Sequence, residues 1–63
     1  MEERTQQFLD LLIEYQKKGI TRKKITEKLN ISLKTIERRL NDIKKLGYIY
    51  EVRHKRVYLI NNF

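Results

Sequence analysis

Two amphipathic stretches of this 63-residue chain are separated by only three residues, Asn30-Ile31-Ser32. Helices joined by a turn of three or four residues cross steeply and leave one of the pair protruding from the domain. Each part of the joint has a local reason. Asn30 tolerates the left-handed backbone that ends a helix. Ser32 is a favoured helix N-cap. Between them Ile31 is expected to plug inward.

Periodicity places the flanking helices. The second helix is expected over about Arg22 to Leu29, capped by Thr21, with Ile25 and Leu29 inward at i, i+4. The third is expected over about Leu33 to Leu46. Ile36, Leu40 and Ile43 form its buried stripe with Leu46 alongside, and Gly47 ends it. A first helix is expected from Glu2 or Glu3 to Lys18. Its main apolar face is Phe8, Leu12 and Tyr15 with Leu11, and a second stripe is Leu9 and Ile13. Acidic Glu2 and Glu3 at its start and Lys17 and Lys18 at its end suit the helix dipole, and Gly19 suits a left-handed C-cap. A short extended link, Ile20, leads on to Thr21.

After Gly47 the period changes. Tyr48–Val52 and Val57–Ile60 are rich in aromatic and β-branched residues and flank the basic tetrapeptide Arg53-His54-Lys55-Arg56. This predicts a β-hairpin with a short polar loop. The loop has no glycine, so its turn type stays open. Asn61-Asn62-Phe63 reads as a tail. The expected fold class is mainly α with a small β-hairpin (α+β), three helices in one domain over residues 1–63. A domain this small buries only roughly 60% of its unfolded surface. A homodimer is therefore expected, with Leu9 and Ile13 as its interface.

Several functions are disfavoured by what is missing. There is no cysteine, hence no disulfide or thiolate site. The one histidine, His54, sits on the expected loop without a partner for zinc. Ser32 is committed as a cap, the carboxylates are scattered, and two distant glycines cannot make a phosphate loop. Tyr15, Tyr48, Tyr50 and Tyr58 read as packing residues. No enzyme, no cofactor and no metal is expected, and no small-molecule effector. The longest apolar run is four residues, Val57–Ile60, against about 20 for a membrane helix. No membrane association and a cytoplasmic location are expected.

Charge points the other way, toward a polyanion. Met1–Lys18 holds three basic and four acidic residues, Gly19–Gly47 nine and three, and Tyr48–Phe63 three and one. The net charge of +7 therefore lies in the middle and C-terminal parts.

The run Ile20-Thr21 … Ile25-Thr26-Glu27-Lys28-Leu29-Asn30-Ile31-Ser32-Leu33-Lys34-Thr35-Ile36-Glu37-Arg38-Arg39-Leu40 … Ile43 … Leu46-Gly47-Tyr48-Ile49 resembles the winged helix-turn-helix of prokaryotic transcription regulators. Deoxyribose-operon-repressor-like and biotin-repressor-like DNA-binding domains are similar over nearly the whole chain. The chain departs from them at Thr26, where a small Ala is common, and in a wing loop without Gly. The resemblance implies a minimal repressor of double-stranded DNA, with the third helix in the major groove and the hairpin as a wing.

The residues fit that implication. By helical phase, Lys34, Arg38, Asn41 and Lys45 fall on the side of the third helix opposite Ile36, Leu40 and Ile43. All four are hydrogen-bond donors. Arg reads guanine, Asn reads adenine, and Leu33 suits a thymine methyl. Thr35 and the Ser32-capped helix start lie where base edges and phosphates are met. Glu37, an expected DNA-binding residue, and Asp42 sit at the margins of that face, where the open roles are contact with cytosine amino groups, orientation of Arg38 or repulsion of phosphate, and Arg39 lies toward the buried side. Thr21, Arg22, Lys23, Lys24 and Lys28 on the second helix are expected phosphate contacts. Arg53, His54, Lys55 and Arg56 are the expected wing contacts. Two other readings stay open: a winged-helix protein–protein module and a non-specific nucleic-acid binder.

Overall fold

The computed structural model describes residues 2–61, without the side chain of Asn61. The chain runs α1 (Glu3–Glu14), β1 (Ile20–Thr21), α2 (Arg22–Leu29), α3 (Leu33–Lys45), β2 (Ile49–Arg53) and β3 (Arg56–Asn61). Three helices pack on a small antiparallel sheet of order β1-β3-β2, a winged-helix arrangement of α+β class.

The caps behave as the residues dictate. Thr21 Oγ1 accepts from the Lys24 amide at 3.1 Å and opens α2. Ser32 Oγ accepts from the Thr35 amide at 3.2 Å and opens α3. Asn30 closes α2 in the left-handed region, with φ 54° and ψ 47°. Asparagine is one of the few residues with a side chain that visit this region readily. Thr26 disposes of its hydroxyl within α2 by donating to the Lys23 carbonyl at 2.6 Å.

α1 departs from expectation. It ends at Glu14, and residues 15–18 form turns. Lys17 and Lys18 thus lie beyond the helix, and its last turn carries no basic residue. Gln16, Lys17 and Lys18 offer nothing apolar to bury, so a longer helix gains nothing from packing. Instead the Gly19 amide donates to the Tyr15 carbonyl at 2.7 Å, and Gln16 Nε2 donates to the Leu59 carbonyl at 3.1 Å. The reversal brings Ile20 into the core.

Ile20 is more than a link. Ile20 and Thr21 pair with Val57 and Arg56 as a third strand. The hairpin is also tighter than expected. Arg53 and Arg56 are paired strand residues, and only His54 and Lys55 turn the chain. Both have positive φ, 50° and 64°. That is the pattern of a two-residue hairpin turn of type I′. Asn61 belongs to β3 rather than to a tail, and Asn62 and Phe63 lie outside the described residues.

The core joins every element except β2. Phe8, Leu9 and Leu12 come from α1, Ile20 from β1, Ile25 from α2, and Ile36, Leu40 and Ile43 from α3. Val57 and Leu59 of β3 complete it. Leu29 and Ile31 pack partly buried against this cluster. β2 contributes no fully buried residue and projects as the outer strand of the wing.

Two expected surfaces are corrected by this packing. Leu9 is 2% exposed within the single chain, so it is core and not a dimer interface. Burying such a side chain inside the subunit contributes about 1.5–3 kcal/mol, which removes the reason to cover it with a partner. Ile13 remains exposed. Conversely Leu46, expected beside the buried stripe, is 52% exposed, because α3 has ended and Leu46 serves as its C-cap.

Candidate nucleic-acid interface

The candidate interface lies on α3, which the core grips along Ile36, Leu40 and Ile43. The opposite side is open. Lys34, Arg38, Asn41 and Lys45 are all exposed. None of the four is hydrogen-bonded or ion-paired through its side chain with another described residue. The fold therefore leaves a row of donors facing solvent. A hydrogen bond to such groups displaces water but breaks no protein contact.

The two flanks of this row are occupied. Arg39 is half-buried and donates to Asp42 at 3.2 Å, so both serve the domain itself. Glu37 accepts from Arg22 at 2.8 Å, linking α3 to the first residue of α2. At the N-terminal end, Leu33 is exposed and Thr35 is engaged with Ser32 through both its amide and its hydroxyl.

α2 divides its cations between two sides. Arg22 faces α3 through Glu37, and Lys23 is exposed. Lys28 turns toward α1, with its ammonium 5.8 Å from the Tyr15 ring centroid. It lines a groove there with Asp10 and Glu14. The attraction of the ring for the Lys28 ammonium offsets part of the repulsion between Lys24 and Lys28. Lys24 lies with Lys18 and Arg56 in a second groove, between the α1 exit and the wing base. The structure thus does not bring Thr21, Arg22, Lys23, Lys24 and Lys28 to one face.

In the wing, Arg53 is exposed but partnered. Its Nε lies 3.3 Å from Glu51, and its guanidinium lies 4.6 Å from the Tyr58 ring centroid. His54 and Lys55 are exposed at the tip, and Arg56, also exposed, is paired with Thr21 of β1.

Sequence reasoning missed two cations. Arg4 lines a cleft with Asn30, Ser32, Thr35 and Arg39 at the start of α3. Lys18 joins Lys24 and Arg56. Both sit in the acidic N-terminal segment, and no local signal distinguishes them from solvated surface charge.

The described residues contain no cluster of His, Cys, Asp or Glu able to hold a metal ion. No described helix is long and apolar enough to cross a membrane. The helix-turn-helix (HTH) domain family matches residues 4–58, nearly the whole chain. The chain belongs to the HTH domain family. HTH domains are DNA-binding domains rather than enzymes. No curated protein and no solved structure matches the chain.

Proposed function

We propose that this HTH domain is a sequence-specific binder of double-stranded DNA acting as a minimal transcription regulator of the repressor type. The observation that carries the reading is the unpartnered row Lys34, Arg38, Asn41 and Lys45 on a helix otherwise anchored in the core. A donor-rich face without carboxylates matches the acceptor-rich purine edges of the major groove. Arg38 reads guanine and Asn41 adenine, and Leu33 meets a thymine methyl. Lys34 and Lys45 follow the groove walls. Ser32 and Thr35 place the free amides of the first α3 turn against a phosphate.

Arg22 and Lys23 contact one strand backbone from α2 and hold the register. Lys24 with Arg56, joined by Lys18, takes the backbone between α2 and the wing. His54 and Lys55 at the wing tip reach the neighbouring minor groove.

A protein-binding winged helix is less well supported, because such a face carries apolar or mixed-sign residues. Selection of bound duplexes from a random pool at physiological salt tests the reading. A recurrent motif is the expected outcome. Retention that depends only on salt, with no motif, would replace it with non-specific binding.

A further inference from the structure

Arg22 and Glu37 meet across fifteen positions of sequence, with Arg22 Nε donating to Glu37 Oε2 at 2.8 Å. Arg22 is the first residue of α2, and Glu37 lies in the second turn of α3. The two side chains are 33% and 58% exposed, respectively. An ion pair so open to water adds little stability. Stability therefore does not explain a carboxylate at the margin of a face made of donors. A carboxylate there also repels phosphate.

The atoms involved suggest another use. The bond is made by Nε, the inner nitrogen of the guanidinium. The two terminal nitrogens have no partner among the described residues. A guanidinium is a rigid plane with five N–H donors, and its terminal pair matches two oxygens of one phosphate. A bond at Nε fixes that plane while leaving the terminal edge open. A long side chain held in this way loses less freedom when it binds.

We infer that Glu37 is a positioning residue, which holds Arg22 by Nε so that its terminal nitrogens clamp one DNA phosphate while α3 lies in the groove. This rests on the duplex-DNA reading above. Glu37 then reads no base. It ties the phosphate register of α2 to the base register of α3, so that Arg38 meets its base only when Arg22 has met its phosphate.

The sign of one substitution separates this from simple electrostatics. Glu37→Ala removes a negative charge, and charge alone predicts tighter binding to every duplex. Positioning predicts about tenfold weaker binding to the selected duplex. It also predicts a salt slope shallower by about one, as in Arg22→Ala, although no cation is lost. Glu37→Gln keeps an oxygen that can accept from Nε and is expected to bind within about twofold of wild type. In an Arg22→Ala background, Glu37→Ala is expected to weaken binding no further.

Titrations of selected and random duplexes over a range of salt, with melting curves to verify folding, give all of these. Equal or tighter binding by Glu37→Ala with an unchanged slope overturns the inference while leaving the DNA reading intact. A wild-type protein that prefers no duplex sinks both.

Discussion

The hydroxyl end of the Tyr58 ring occupies the space into which a side chain on residue 19 would project. A Cβ built on Gly19 comes within 2.6 Å of Tyr58 Cζ. Gly19 also has φ +77°. That region is costly for residues with a Cβ. The same ring lies beside the Arg53 guanidinium. One aromatic residue thus joins the α1 exit to both strands of the wing.

Gly19→Ala is expected to destabilise the domain by about 2–4 kcal/mol, from left-handed strain plus the displaced ring. Thermal or urea unfolding measures it. Adding Tyr58→Ala removes the clash but not the strain, so the double variant should lose less than the sum of the two. Strict additivity would show that the ring does not set the glycine requirement.

The wing turn holds two residues with side chains, His54 and Lys55, in the left-handed region. Each costs about 1–2 kcal/mol relative to glycine. Lys55→Gly should therefore raise stability by about 1 kcal/mol. It should also lower the salt slope of DNA binding by about one if the wing touches phosphate. A melting temperature that falls on substitution contradicts the turn geometry.

Arg38→Ala is expected to cost about 1–3 kcal/mol on the selected duplex and little on random DNA, with unfolding unchanged. Ile36→Ala, on the opposite side of α3, is expected to cost about 2–5 kcal/mol of folding stability instead. Equal loss of binding to selected and random duplexes by Arg38→Ala removes it as a base reader.

Leu9 lies in the core. Leu9→Ala should therefore destabilise the monomer by about 2–5 kcal/mol with no concentration dependence. Sedimentation of the free wild-type protein should give a monomer. A melting temperature that rises with protein concentration would point to an interface other than this stripe.

Much of the fold was legible because its signals are local. Thr21, Asn30 and Ser32 act on their own neighbours, so α2 and α3 begin and end close to where their caps stand. The buried stripe of α3 followed from spacing alone, and with it the outward row of donors. The end of α1 was less legible, since the decision rests on Ile20 finding β3 and on Gln16 reaching Leu59, both distant in sequence. A two-residue strand carries no periodicity to read.

The candidate site divides along the same line. Residue type and helical phase were enough to put Lys34, Arg38, Asn41 and Lys45 on one exposed face. They could not say which cations would find partners. Arg22 with Glu37, Arg53 with Tyr58, and Lys28 with Tyr15 each depend on two elements meeting in space. The second stripe of α1 shows the same limit, because an apolar residue looks alike whether its own domain or another molecule covers it. Periodicity and capping are short-range and are written into neighbouring residues. Charge pairing and burial depend on the packing of segments far apart in the chain, and that packing kept Leu9 for the core and left the outer face of α3 open.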